Sequence, residues 1–263
     1  MKRGRAARLL GLFLLLLLGG CRSVAPPQGG VVESPPASPR QEAGRIYLVI
    51  DDAGRSLEQV RRFLDIPVPM TIAVMPHRRF SEQTARLIAA DPRKEAILHQ
   101  PMAAYGNRTD PGAGAIYADT PPAAVPRILA DNLATVPGAV GMNNHMGSQV
   151  TEQPELIRPV LLFCRTNGLF FLDSRTAYNS QVPAVARELG VHVEQRDVFL
   201  DIHHDREHIL RRWREAVEKA RRRGKVIVIG HAWSAETARV IAESLSELER
   251  EGIRFHLLSE LYR

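Results

Sequence analysis

Residues 45–263 predict an α/β fold, a single (β/α) barrel of seven or eight parallel strands. Three observations carry this. Short β-rich runs alternate with longer helical patterns, which implies a parallel sheet with crossovers. The runs are nearly continuous in apolar residues, as expected of strands buried on both faces. The stretch has the length of one large core and lacks the Gly-rich phosphate loop of an open dinucleotide-binding sheet.

In order, the runs are 46–50, 71–75, 96–98, 139–142, 169–172, 191–193, 226–229 and 254–258. Five helices between them have readable ends. Ser56 caps 57–64, Ser81 caps 82–90, and Pro154 stands near the start of a helix ending at Gly168. Asp205 opens 206–223, stopped by Gly224, and Ser234 opens 235–251, stopped by Gly252. Neither an internal repeat nor a second linker interrupts them.

The segment before the barrel reads differently. Lys2, Arg3, Arg5 and Arg8 precede an apolar stretch from 9 to 18, and Gly19, Gly20 and Cys21 follow. That stretch is about half the length of a membrane span and fits a signal peptide over residues 1–20. Leu18-Gly19-Gly20-Cys21 resembles the bacterial lipobox, which makes Cys21 the lipid attachment; the alternative is a plain signal peptide that happens to carry a Cys. Residues 21–44 then form an acylated Cys and Pro-rich tether. The expected location is that of an exported, membrane-anchored lipoprotein facing the periplasm or cell exterior, touching the membrane through its lipid only.

Charge and cysteine content exclude other classes. The formal charge is +6, but beyond residue 20 the basic residues outnumber the 29 acidic ones by only two. Nothing there supports nucleic-acid binding. Two cysteines do not make a disulfide scaffold, and Cys164, in an apolar run, reads as a buried thiol.

Polar residues gather after the strands. Asp51 and Asp52 follow the first, His77 the second, His99 the third, and Asn143, Asn144 and His145 the fourth. Asp173, Ser174 and Arg175 follow the fifth, Asp197 the sixth, His231 the seventh, and Ser259 and Glu260 the last. In parallel barrels the carboxyl ends of the strands converge on one face, where active sites are built. A carboxylate pair with histidines from separate strand ends suits a divalent metal with one position open to water, zinc being the expected ion. No Gly-x-Ser-x-Gly elbow supports a nucleophilic serine.

Six motifs in this order, among them Ile50-Asp51-Asp52-Ala53-Gly54, Leu98-His99-Gln100-Pro101-Met102 and Asn143-Asn144-His145-Met146-Gly147-Ser148, resemble the divergent polysaccharide deacetylases. The others are Phe171-Leu172-Asp173-Ser174-Arg175-Thr176, Arg196-Asp197-Val198-Phe199-Leu200-Asp201 and Ile229-Gly230-His231. The resemblance implies a distorted (β/α) barrel and metal-dependent removal of acetyl groups from an envelope or exported polysaccharide, such as a peptidoglycan-type glycan. It implies Asp51 as catalytic base, His231 as general acid, and Asp52 as metal ligand. The usual His-box is broken by Ala103, so His99 and His145 together complete the metal set. The usual Arg-x-Pro motif is absent as well, and Arg175 is expected to orient Asp51 or Asp173. Asn143, Asn144, Asp173, Arg175 and Asp197 are assigned to substrate or to the surroundings of the ligands.

Plainer readings stand beside these. Asp51 and Asp52 could be helix-dipole carboxylates, His99 a core histidine, Asn143 and Asn144 turn residues, and Asp173 with Arg175 an ion pair. His203, His204 and His208 have metal-like spacing but read as the solvated start of a basic helix. The rival functions are a catalytically weak barrel that binds glycan or a protein partner, and a hydrolase of another amide or glycosidic bond. No residue pattern identifies a protein partner.

Overall fold

The computed structural model describes residues 42–106 and 109–263. The signal peptide over 1–20, the lipid attachment at Cys21 and the tether as far as residue 41 lie outside them. The tether's expected end at 44 shifts. Ala43 donates its N–H to Gly252 O at 2.9 Å, and Glu42 pairs with Arg45 and His256, so Glu42 already belongs to the barrel domain.

The elements run β1 (Gly44–Ala53), α1 (Leu57–Leu64), β2 (Met70–Val74), α2 (Ser81–Ala89), β3 (Lys94–Met102) and α3 (Val125–Leu133). Next come β4 (Gly141–Met146), α4 (Pro154–Thr166), β5 (Phe170–Asp173), α5 (Val182–Leu189), β6 (Val193–Gln195) and β7 (Val198–Phe199). The last are α6 (Arg206–Arg223), β8 (Lys225–His231), α7 (Ala235–Arg250) and β9 (Ile253–His256).

Every ladder is parallel, and eight strands follow the order β6-β5-β4-β3-β2-β1-β8-β7. Only Arg196 and Asp197 separate β6 from β7, so the two ends of this path meet within about 11 Å. No ladder joins them among the described residues. The result is a distorted (β/α) barrel with one unpaired seam. β9 occupies the lower half of β1, over Gly44–Tyr47, beneath the point where β2 pairs with it from Val49 onward.

Strand alternation sorts the core into two layers. Ile46, Leu48 and Ile50 of β1 join Ile72, Leu98, Met142 and Val228 beneath the helices. Tyr47 and Val49 face inward with Ala73, Ile97, Leu172, Ile227 and Ile229. The next inward positions toward the carboxyl ends are Asp51, His99, Asn143 and His231. The register sets Asp51 opposite His231 and His99 opposite Asn143. A short 3-10 turn, Leu258–Tyr262, closes the opposite end: Leu258 joins the inner layer, and the Tyr262 hydroxyl donates to Phe171 O.

Several expectations change. Ser56, Asp205 and Ser234 cap their helices, accepting from Gln59, His208 and Thr237 N–H. Ser81 does not: Phe80 occupies the cap, and the Ser81 hydroxyl donates to Met75 O at 2.6 Å, closing the turn after β2. Helices α3 and α5 escaped the sequence reading; the run expected at 191–193 is displaced to β6 at Val193–Gln195, and β7 at Val198–Phe199 is an added strand. Ser259 and Glu260 lie at the closed end, where Ser259 N–H donates to Glu95.

Candidate metal centre

Asp51 and Asp52 are consecutive, so an ordinary strand would send them to opposite faces. A register shift between Ile50 and Ala53 breaks the β1–β2 ladder there, and Asp52 adopts φ +63. This left-handed backbone costs a non-glycine residue on the order of 1 kcal/mol or more. It turns both carboxylates toward the barrel mouth.

Asp52 Oδ1 lies 3.0 Å from His145 Nδ1 and 3.4 Å from His99 Nε2, and the two nitrogens are 3.2 Å apart. Among the described residues these three side chains form the group able to share one ion, with ligand atoms all within 4.8 Å of one another. The tautomer of His99 follows from its other nitrogen. Asn143 spends its amide N–H groups on Asp51 Oδ1 at 2.8 Å and on Ser174 Oγ at 3.2 Å. Its amide oxygen therefore accepts from His99 Nδ1–H at 2.7 Å, which leaves the Nε2 lone pair facing Asp52 and His145.

The group fits a cation. Asp52 Oδ1 is buried and makes no hydrogen bond of acceptable geometry. Burial opposes ionisation of Asp52, but His145 and His99 together hold its carboxyl well below the usual range. Burial keeps His145 below the ordinary imidazole value, the form that ligates, although Asp52 pulls the other way. For His99 burial also acts downward, yet the charges of Asp51 and Asp52 outweigh it and push the imidazole up. Two acids in this pocket demand a positive charge, from a proton or from a metal.

Asp51 sits beside the group, 2 % exposed, with Oδ2 3.7 Å from His99 Nε2. Burial raises its pKa against the pull of His99 and His231. Opposite it, His231 donates Nδ1–H to Asp201 Oδ1 at 2.6 Å. Asp201 Oδ2 accepts from His231 N–H at 2.9 Å and from Thr237 Oγ1 at 2.8 Å. Gly230 permits this approach, because a Cβ there would stand 2.8 Å from Thr237 Cγ2. Burial depresses the His231 imidazole, but Asp201 more than compensates, and its pKa rises to about 9. Asp51, His99, His145 and His231 line one cavity of about 270 Å³ with Ser174, Phe199 and Ile202.

The remaining expected residues divide. Asn144 ties β4 to the loop after β5, accepting from Ser174 N–H at 2.9 Å and donating to Thr176 Oγ1 at 3.2 Å. Asp173 is buried and organises that loop, accepting from Arg175 N–H, Ser180 Oγ and Gln195 Nε2. Arg175 is exposed and its side chain bonds neither Asp51 nor Asp173; only its main-chain N–H reaches Asp173, and Asn143 is the residue that orients Asp51. Arg196 supports the loop instead: its guanidinium donates to Ser174 O and Arg175 O, and burial lowers its pKa to about 10. Asp197 stays out of the cavity. Its carboxylate accepts Ile227 N–H at 2.9 Å, four residues before His231 on β8, and braces the foot of β7. His77 turns to Asn132, 2.8 Å away, and His203 and His208 stack edge to face apart from the centre. Burial pushes the Cys164 thiol up to about 12, consistent with an inert core residue.

Sequence reasoning missed Asp201. It ends the three-residue apolar run Val198-Phe199-Leu200, too short to register as a strand, and the strand-end rule applied there finds it.

A parallel barrel with an Asp–His–His cluster over its inner core, flanked by a buried carboxylate and an Asp-bound histidine, defines the class. The chain belongs to the divergent polysaccharide deacetylase family, whose model matches residues 48–262. It is similar to the uncharacterized protein YibQ of Escherichia coli (strain K12), 32% identical over 206 residues, covering 78% of this chain and 64% of YibQ. An uncharacterized protein of Haemophilus influenzae is 29% identical over 187 residues, covering 71% of this chain and 66% of that one. The chain thus spans about two thirds of the length of these curated relatives. Among solved structures, the uncharacterized protein ATU2773 from Agrobacterium tumefaciens C58 shares the fold, with a TM-score of 0.79 at 22% identity over 85% of this chain and 91% of that one.

Proposed function

We propose that this chain is a metal-dependent hydrolase that removes acetyl groups from an envelope or exported glycan. The observation that carries the reading is that Asn143-bound Asp51 and Asp201-bound His231, neighbours across the β1–β8 ladder, line one cavity with His99 and His145 of the Asp52–His99–His145 group. Asp52 Oδ1, His99 Nε2 and His145 Nδ1 would hold the ion, zinc first among divalent candidates. When bound, the ion supplies Lewis-acid polarisation of the acetyl carbonyl and acidifies a water.

The chain's own residues do the proton work. Asp51, its Oδ1 fixed by Asn143, takes the proton of the attacking water. His231, protonated up to about pH 9, donates from Nε2 to the departing amine or alcohol. Asp201 fixes the ring so that this nitrogen faces the cavity. Signal peptide, Cys21 and tether extend the proposal: the enzyme is a lipoprotein held near its glycan on the exported side of a membrane.

Metal analysis of the purified protein with acetate release from an N-acetylated glycan tests the reading. Bound metal with acetate as product is expected. A metal-binding protein that releases free sugar is a hydrolase of another bond. A protein that binds glycan with neither metal nor acetate release is a binding barrel.

A further inference from the structure

Trp233 lies on the loop from β8 to α7 and has no part in the proton transfers above. Its indole Nε1–H donates to Asp52 Oδ2 at 3.1 Å. Two imidazoles hold its ring from either side: His231 at 5.0 Å between centroids and 19°, and His204 at 4.7 Å and 23°. Beyond His231, Phe199 stacks at 5.6 Å and 14°, and the Arg196 guanidinium lies 3.9 Å from the Phe199 ring centroid. One continuous stack therefore runs from Arg196 to His204, with His231 at its centre.

The consequence falls on Asp52. A carboxylate can turn about its last torsion and offer a cation either oxygen or both. Here Oδ2 is taken by the indole, and Oδ1 alone faces His99 and His145. We propose that Trp233 is a positioning residue that makes Asp52 a one-oxygen ligand and ties that ligand to the proton donor His231. The proposal rests on the metal reading of the site. His204 acquires a role through it, not as a ligand but as the outer clamp on the indole.

Trp233→Phe keeps a stacking ring and removes the N–H. In zinc titrations of the purified protein followed by calorimetry, its Kd is expected to rise roughly ten- to hundredfold, the usual cost of losing such a hydrogen bond behind a ligand. The chain has only two tryptophans. A zinc-induced change in emission in the parent protein should therefore vanish in Trp233→Phe, where only Trp213 remains. Trp233→Leu removes the stack as well: zinc affinity should match that of the Phe variant, while kcat for acetate release falls further. An unchanged zinc Kd in Trp233→Phe overturns the ligand half, and equal kcat in the Phe and Leu variants overturns the link to His231. Where Trp233→Phe does not fold, His204→Ala tests the same contact from the exposed side, and an unchanged Kd there is equally damaging. If the parent protein binds no divalent metal, the proposed function itself falls and this inference falls with it. If the parent binds zinc and the variants bind it equally well, only the inference fails.

Discussion

Asp201 grips His231 twice, its Oδ1 2.6 Å from the ring Nδ1 and its Oδ2 accepting the residue's own main-chain N–H at 2.9 Å. Ring orientation and backbone position are thereby fixed by one buried carboxylate. The pair also sets the protonation state of the ring, and that has a measurable signature.

In Asp201→Asn, His231 loses the charge that raises its pKa to about 9, so its titration should fall toward or below the ordinary value of about 6.5. The alkaline limb of the rate profile should move down by about two pH units, and the loss of turnover should be larger at pH 8 than at pH 6. The same shift affects stability. A histidine whose pKa is raised on folding stabilises fully below its unfolded pKa, and the contribution fades as pH rises through about 9. The gap in thermal midpoint between parent and variant should therefore narrow above that pH. An alkaline limb that stays in place in Asp201→Asn refutes the assignment of His231 as the acid.

The ligand set makes a second prediction. Asp52→Asn, His99→Ala and His145→Ala should each weaken zinc binding by about a hundredfold or more, read by calorimetry. His203→Ala and His208→Ala should leave it within about twofold, because neither ring approaches the centre. Metal retained by His145→Ala would place the ion elsewhere.

Asp51→Asn separates base from ligand. It preserves shape and can still accept from Asn143, but it cannot take a proton from water. Zinc should stay bound while turnover falls by about a hundredfold or more. If Asp51→Asn loses zinc and Asp52→Asn keeps it, the two roles are exchanged.

Asn143 serves both sides of the site, so its loss should show twice. Asn143→Ala releases His99 Nδ1 and should cost roughly ten- to hundredfold in zinc affinity. It also removes a hydrogen bond that lowers the Asp51 pKa, which burial already raises. The acid limb of the rate profile should then move to higher pH. A variant with weaker zinc binding and an unmoved acid limb would show that Asp51 is not the titrating base.

The tether is tested through Cys21. Cys21→Ser should release the protein from membranes into the soluble fraction, because stable anchoring needs the acyl chains of a processed lipoprotein. Membrane association that survives this change removes the lipoprotein reading.

The barrel was legible because buried parallel strands leave continuous apolar runs, and five of the seven described α-helices because Ser, Asp, Pro or Gly stands at or next to an end, even where, as at Ser81, the side chain does not cap. The convergence of the candidate-site residues was legible from the strand-end rule, although the strands proved longer than their apolar runs: His99 and Asn143–His145 lie within β3 and β4. Period-two alternation, rather than loop convergence, brings Asp51, His99, Asn143 and His231 to one level. Helices α3 and α5 begin without a side-chain cap, and the marks they do carry, Pro126 and Pro183 in their first turns and the left-handed Gly190 after α5, are weaker signals than Ser or Asp at the start. Asp201 was hidden by a strand of two residues. Trp233 and Arg196 act through ring stacking and backbone carbonyls, contacts that leave no trace in residue spacing.

β1 takes its neighbours from both extremes of the chain: β2 follows it directly, while β8 and β9 come from residues 225–256, and the inner core is sealed by Leu258 and Tyr262. The first described strand thus waits for the segments at 225–262 before it can be enclosed. Such long-range pairing slows folding. It also means that a partly made chain cannot lock prematurely into a finished barrel. On the export proposed above, this order of events would keep the chain fit for passage until residues 225–262 have followed β1 across.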